Sequence, residues 1–81
     1  METANLKKVN FECANFLYSD LKGANLEETN LVKANLIGTN LKGANLERAN
    51  IENIDFTKSN IEKTNFKNAN FKSTKFKKTI L

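Results

Sequence analysis

The chain has 81 residues, with 13 Lys and Arg, 9 Asp and Glu and no His, so its net charge is +4 at pH 7. This length limits it to one small domain. Without His, and without clustered carboxylates, the sequence offers no nucleophile–base pair, acid–base dyad or metal site. No apolar run has signal-peptide or membrane-spanning length. We expect a soluble, cytoplasmic, non-enzymatic protein that binds no cofactor, metal or membrane.

A strict period of five residues runs along the chain. From residue 6 to residue 81, every fifth residue is Leu, Ile or Phe, without exception. The residue before each is Asn twelve times and Asp twice, and only Lys75 and Ile80 break this rule. The residue two positions before is mostly Ala, Ser or Thr, with Val9 and Ile54 as the larger members.

A period of five fits neither a helix nor a flat strand. Five helical residues turn by about 500°, so the apolar residues would spiral around the helix. In a strand, an odd step moves each apolar residue to the opposite face. The apolar residues stay on one side only if the chain turns a corner once in every five residues. The sequence therefore predicts an all-β solenoid of stacked coils.

A second repeat of twenty residues gives the number of sides in one coil. The seven-residue string Leu21–Glu27 recurs unchanged as Leu41–Glu47. A column of hydroxyl residues has the same spacing, at Ser19, Thr39, Ser59 and Thr79. We therefore predict four pentads per coil and about four coils, a stack roughly 19 Å tall at about 4.8 Å per layer.

The glycines indicate how the corners are made. Gly23, Gly38 and Gly43 each follow the apolar position by two residues, where a type II turn requires a positive φ. Asn53 and Asn68 occupy equivalent positions and tolerate the same conformation. Since other pentads carry charged residues there, we expect that not every corner uses this turn.

The repeat unit resembles the signature of a known family. Ala-Asn-Leu-x-x, at Ala4–Leu6, Ala24–Leu26, Ala34–Leu36 and Ala44–Leu46, is similar to the repeat of the pentapeptide repeat proteins. The resemblance covers residues 4 to 81. It implies a right-handed quadrilateral parallel β-helix, here a single domain of residues 1–81, and it suggests end-to-end dimers. It transfers no catalytic or ligand-binding residues, because the motif itself is structural.

Several other positions have structural interpretations. The Asn side chains are expected to hydrogen-bond the turn backbone, and the hydroxyls of the Ser19 column to face the core and bond backbone or each other. Ile54 occupies an inward slot where Ala is usual, so we expect it to fill or slightly bow one wall. Cys13 is an outward, passive thiol. Lys7 lies under Glu27, and Lys8, Glu28 and Arg48 alternate in sign up the same corner, so we expect cross-layer ion pairs on a solvated face.

The exceptions to the rule predict a candidate interaction patch. Leu17 and Ile37 lie outside the core register, twenty residues apart, and stack at one outward corner. Tyr18 flanks them, and Val32 lies on the neighbouring corner. The patch of Leu17, Tyr18, Val32 and Ile37 is our first candidate site.

The C-terminal end predicts a docking site. A solenoid exposes backbone groups and core side chains at its terminal coils. The last coil is rich in Phe and loses the Asn pattern. The candidate end-docking residues are Phe71, Phe76, Ile80 and Leu81. They would contact a protein partner or a second copy of the chain, the latter giving a homodimer.

Positive charge gathers in the second half of the chain. Residues 1–40 hold four Lys against five acids, and residues 41–81 hold nine Lys or Arg against four acids. The candidate basic patch is Lys58, Lys72, Lys75, Lys77 and Lys78. Nucleic-acid binding there would be weak, sequence-blind and salt-dependent. It is disfavoured, because Tyr18 alone remains outside the core to stack on bases.

The preferred function is a non-catalytic structural or protein–protein interaction module with a rigid surface. Some proteins of the family resemble a DNA rod and occupy the DNA site of type II topoisomerases. That mimicry needs a long acidic dimer, and this chain is short and basic. A fragment with no activity of its own is the remaining alternative.

Overall fold

Isolated parallel β-bridges between successive coils form the framework of the protein. The structure is a computed structural model that describes residues 4–81, so residues 1–3 of the predicted domain lie outside the described residues. Twelve parallel bridges, from Asn5↔Asn25 to Asn60↔Ile80, each join residues twenty positions apart. Between residues 4 and 81 there is no helix and no longer strand, and the paired residues are the single positions 5, 10, 15 and so on to 80.

Backbone hydrogen bonds repeat between the coils with the same spacing. Around the first bridge, the Leu6 N–H donates to the Asn25 carbonyl at 2.8 Å, and the Asn25 N–H donates to the Ala4 carbonyl at 2.8 Å. The Lys8 N–H donates to the Glu27 carbonyl at 2.9 Å. These bonds hold corresponding turns above one another. We call the stacked turns corner 1 (7–8, 27–28, 47–48 and 67–68), corner 2 (12–13, 32–33, 52–53 and 72–73), corner 3 (17–18, 37–38, 57–58 and 77–78) and corner 4 (22–23, 42–43 and 62–63).

The expectation that only some corners use a positive-φ turn is wrong. The second turn residue has φ between 53° and 71° at all fifteen described corners, and Gly occupies only three of them. A side chain at this position does not prevent the positive φ. Lys33, for example, has φ 61°, and its N–H donates to the Glu52 carbonyl of the next coil. The same φ occurs in the last coil at Lys63, Asn68, Ser73 and Lys78, whose N–H groups make no such bond, so the folded turn as a whole holds a left-handed conformation that local preference disfavours by about 1–2 kcal/mol.

Lys33→Gly is expected to raise the free energy of unfolding by about 0.5–1 kcal/mol, because relief of the left-handed strain exceeds the entropy that Gly adds to the unfolded chain. Lys33 is exposed, so its side chain contributes little packing. The matched control is Lys22→Gly, an exposed first turn residue without positive φ, which should lower that free energy by about 0.5–1 kcal/mol. Denaturant unfolding measures both, and losses of equal size would contradict the assignment of strain to Lys33.

The apolar register forms one continuous core that opens towards both ends. Its members between Leu21 and Phe56 have no exposed surface, and Phe16 and Ile61 are each 8% exposed. Leu6, Phe11 and Phe66 are only partly buried against this core. The predicted inward register is therefore present along the stack, while full burial is confined to its middle.

Ile54 fills its inward slot, as the sequence predicted, and is 1% exposed. Its corner lacks a hydrogen bond that the others make within the turn. At the other fourteen described corners the core residue's carbonyl accepts the N–H three residues on, as Leu31 accepts from Ala34 at 2.9 Å. The Ile54 N–H does not reach the Ile51 carbonyl in this way. The larger side chain thus coincides with a slightly opened corner.

Polar side chains of the repeat serve the backbone, as expected. All fourteen Asn and Asp residues that precede the core register accept the N–H two residues on, at 2.9–3.3 Å. The buried Thr39 hydroxyl donates to the Phe16 carbonyl at 2.8 Å, and the buried Ser59 hydroxyl to the Phe56 carbonyl at 2.7 Å. Within residues 4–81, no buried side-chain nitrogen or oxygen lacks a hydrogen-bond partner.

The dimensions are those of a block, with extents of 27 × 23 × 22 Å. Across the described part of the chain, no helix is long and apolar enough to cross a membrane. The same residues contain no cluster of three or more His, Cys, Asp or Glu that could hold a metal ion.

Candidate functional site

Corner 3 brings together three of the four residues of the predicted apolar patch. Leu17 is 44% exposed, Tyr18 is 66% exposed, and Ile37 is half-buried. Val32 is half-buried on corner 2 and does not share this surface. The apolar surface of corner 3 therefore consists of Leu17, Tyr18 and Ile37.

The Tyr18 ring lies directly over Gly38 of the next coil. A Cβ built on Gly38 would lie 2.2 Å from Cδ1 and 2.3 Å from Cε1 of that ring. The equivalent position on Gly43, at corner 4, has no atom within 4 Å. Since twelve other residues adopt positive φ with a side chain, backbone conformation alone does not require glycine at 38. The contact with Tyr18 does, and period-based reasoning gave no sign of it.

The half of corner 3 nearer the C-terminus, which consists of Thr57, Lys58, Lys77 and Lys78, is polar and basic. Thr57 donates its backbone N–H to the Asp55 carboxylate at 2.9 Å, and its hydroxyl donates to the same oxygen. These two bonds hold the pKa of Asp55 below its ordinary value of 3.8, with a further contribution from the positive charges of Lys75 and Lys77. Partial desolvation acts in the opposite direction and is outweighed. Asp55 therefore remains ionised inside a basic surface.

The lowered pKa of Asp55 predicts a pH dependence of stability. A carboxylate with a lower pKa in the folded than in the unfolded state stabilises the fold above the unfolded value, and this is lost as pH falls through the folded value. Asp55→Asn should therefore reduce the loss of stability between about pH 5 and pH 2. Thr57→Val keeps the backbone bond, removes the largest cause, and should remove only part of that dependence. Urea unfolding across this range measures it, and identical slopes in all three proteins would contradict the assignment.

Four of the five predicted basic residues lie at or beside corner 3. Lys58, Lys77 and Lys78 are exposed turn residues of this corner, and Lys75 occupies the paired position just before it. Lys72 lies instead on corner 2, where its ammonium is 3.9 Å from Glu52 of the coil before. The structure therefore divides the predicted basic patch between two corners.

The predicted end-docking residues are all exposed. Phe71 and Phe76 are each 41% exposed, Ile80 is 55% exposed, and Leu81 is 82% exposed. The Phe76 ring stacks on buried Phe56, with centroids 5.4 Å apart and an interplanar angle of 16°. Phe71 lies beside Phe76 at 6.0 Å. The C-terminal end thus presents an aromatic surface that packs against the core.

A charge cluster at corner 1 was only partly foreseen. The sequence predicted the Lys7–Glu27 pair, which is found at 4.0 Å. Arg48 also contacts Glu27 and lies 2.8 Å from Glu47 and 3.7 Å from Glu28. It thereby bridges two glutamates that repel each other across the layers. Partly exposed pairs of this kind contribute up to about 1 kcal/mol each, so we interpret the cluster as a support for register.

Cys13 is exposed at corner 2 with φ 61°, and no second cysteine exists in the chain. Its outward position agrees with the sequence prediction. Corner 3 and the C-terminal end therefore remain as the two candidate surfaces.

Comparison with protein families matches pentapeptide repeats, in eight copies, over residues 19–57 and 49–81. Among solved structures, a pentapeptide repeat protein from Nostoc PCC 7120 is 32% identical with a TM-score of 0.87, covering 89% of this chain and 60% of that one. A pentapeptide repeat protein from the cyanobacterium Cyanothece 51142 is 33% identical over 99% of this chain and 62% of that one, with a TM-score of 0.43. One from the Arabidopsis thaliana thylakoid lumen is 28% identical over 94% and 60%, with a TM-score of 0.43. The search of curated proteins gave no match. The chain thus spans about 60% of the length of the Nostoc protein.

Proposed function

The chain belongs to the pentapeptide repeat family, and we propose that it acts as a non-catalytic protein-interaction module that docks a partner through its C-terminal end. Membership implies the right-handed β-helix solenoid. Within that fold we propose a quadrilateral cross-section and about four coils, on the support of the uniform twenty-residue spacing of the bridges.

The exposure of core-register side chains at the C-terminal end carries this proposal. Phe71, Phe76 and Leu81 continue the same register whose middle members are fully buried, yet they are 41%, 41% and 82% exposed. Ile80, directly before Leu81 in the chain, is 55% exposed. Exposed apolar side chains gathered at one end of a protein typically mark a contact with another molecule. The rings of a packed aromatic surface also lose little side-chain entropy when a partner binds to them.

The charge of the last coil selects the kind of partner. Residues 62–81 contain six Lys and one acid, Glu62. Two copies docked through this end would place these lysines against each other, whereas a partner with acidic residues around an apolar centre would be attracted. We therefore propose an acidic protein as the occupant, in preference to the homodimer that the sequence suggested.

The alternative functions fit this surface less well. A DNA mimic presents an extended acidic rod, whereas this block measures 27 Å along its longest axis and carries a net positive charge. Nucleic-acid binding would use exposed aromatic rings that stack on bases, whereas the Phe76 ring already stacks on buried Phe56. Cytoplasmic localisation stays a prediction.

Solution mass by light scattering, at low and high salt, is the first test of the occupant. We expect a monomer under both conditions. A dimer that is lost in Ile80→Ser and Leu81→Ser would replace the acidic partner with a second copy of the chain.

Affinity capture, followed by purification of the captured protein and titration against variants, tests the proposal directly. Ile80→Ser and Leu81→Ser should each weaken binding by about tenfold. Val9→Ser, which changes a 37% exposed apolar residue of the first coil, is the matched control and should have no effect. Equal binding by all variants, or binding to a partner surface without acidic residues, would overturn the proposal.

A further inference from the structure

We propose that corner 3 is a second binding surface that takes an acidic peptide segment of a partner protein. Leu17, Tyr18 and Ile37 would contact an apolar side chain of that segment, and Lys58 and Lys78 would pair with its carboxylates. This surface lies on the side of the stack, so the inference does not rest on the function proposed for the C-terminal end.

Tyr18 is held in place although most of its surface is exposed. Its ring occupies the space next to the Gly38 Cα that a side chain would otherwise fill. The ring packs against the Gly38 backbone in this position while Tyr18 stays 66% exposed. A pre-positioned aromatic offers a large contact area at a small entropic cost, which is why Tyr is enriched at interface hot spots.

The charge pattern distinguishes corner 3 from the other three corners. Corner 1 contains Glu27, Glu28 and Glu47, corner 2 contains Glu12 and Glu52, and corner 4 contains Glu62. Corner 3 has no acid among its turn residues.

The corner 3 lysines are available to a ligand. Among the residues that the structure describes, no carboxylate lies within 4.0 Å of the Lys58 or Lys78 ammonium. Asp55, the nearby acid, accepts bonds from Thr57 and lies in the field of Lys75 and Lys77. Positive charge at Lys58 and Lys78 is therefore left uncompensated.

The spacing of the two halves defines the ligand. Three layers separate Tyr18 from Lys78, or about 14 Å at about 4.8 Å per layer. An extended peptide covers this distance in about four residues. The fitting segment therefore carries an apolar or aromatic residue about four positions from a run of Asp or Glu. Leu17 and Ile37, the aliphatic neighbours of Tyr18, would pack better against such an apolar side chain than against stacked nucleotide bases.

Fluorescence anisotropy with a labelled extended peptide of this design, a leucine pair about four residues from a glutamate run, tests the charge half. Lys58→Glu/Lys78→Glu should weaken binding by at least about tenfold. Lys33→Glu/Lys63→Glu is the matched control, because these lysines have the same turn position, similar φ values of 61° and 59°, and the same effect on net charge. The control should weaken binding by no more than about twofold, through long-range attraction alone.

Two glycine variants test the apolar half without changing any charge. Gly38→Ala should displace the Tyr18 ring and weaken peptide binding by about fivefold to tenfold. Gly43→Ala introduces a Cβ at the same backbone conformation with nothing within 4 Å, so its affinity should match that of the wild type. Since both variants strain a positive-φ turn, a loss confined to Gly38→Ala reports the Tyr18 contact itself.

Equal losses in the two charge-reversed variants would reduce the binding to non-specific attraction and overturn the proposal. Equal peptide affinity of Gly38→Ala and Gly43→Ala would show that the Tyr18 surface does not contribute to binding, and would also overturn the proposal. A single-stranded oligonucleotide that binds more tightly than the peptide, and loses affinity only in Lys58→Glu/Lys78→Glu, would reassign corner 3 to nucleic acid.

Discussion

Phe56→Ala is expected to lower the free energy of unfolding by about 3–5 kcal/mol, because it removes a fully buried aromatic side chain from a core that cannot collapse onto the gap. Phe56 has no exposed surface, and its ring centroid lies 5.9 Å from that of Phe66 and 5.4 Å from that of Phe76. A chain of 81 residues is stable by about 4–12 kcal/mol in total. The variant should therefore be largely unfolded or strongly destabilised in denaturant titrations.

The control for this substitution lies in the same register. Phe71→Ala removes the same side chain at a position that is 41% exposed, so its cost should be about 1–2 kcal/mol. Native-state hydrogen exchange should report the difference by region, with Phe56→Ala accelerating exchange in the middle coils and Phe71→Ala mainly in the last. Equal costs would contradict the finding that full burial of the core register is confined to the middle of the stack.

The features that could be predicted from the sequence are those that the period itself specifies. Leu26 and Leu46 lie twenty residues apart in equivalent strings, and both are fully buried. Asn25 precedes one of them and accepts the Glu27 N–H at 3.0 Å, as expected of an outward Asn beside a turn. A repeat places each residue type in one environment, so one correct assignment extends to every coil.

The corners were misjudged because local preference and the conformation of the folded stack disagree there. A charged residue such as Glu28 avoids the left-handed region in isolation, yet it adopts φ 59°. Its N–H donates to the Glu47 carbonyl of the next coil at 2.9 Å, and that bond exists only in the folded stack. No propensity read from single residues contains this term.

The candidate site was predictable only in outline. Leu17 and Ile37 were identified because they break the register, and Tyr18 because it stands beside them. The seat of Tyr18 on Gly38 depends on a rotamer and on the absence of one side chain, neither of which the period specifies. The same holds for the way Arg48 bridges glutamates of different layers.

Ile54→Ala is the second substitution with a large expected effect, a loss of about 2 kcal/mol in the free energy of unfolding. Truncating a buried Ile costs about 2–5 kcal/mol, and Ile54 is 1% exposed. The expected loss lies at the lower limit, because Ala would let the corner close and the residue 54 N–H reach the Ile51 carbonyl. Such a bond contributes about 0.5–1.5 kcal/mol.

The reverse change, Ala34→Ile, places the larger side chain in the same inward column one coil away. Ala34 is 4% exposed, and its N–H donates to the Leu31 carbonyl at 2.9 Å. The added volume should cost about 1–3 kcal/mol by overpacking and should open that corner. Amide exchange at residue 34 should then quicken, while exchange at residue 54 slows in Ile54→Ala. A rise in stability for Ile54→Ala would instead mean that closing the corner stabilises the fold by more than the loss of the Ile54 side chain destabilises it.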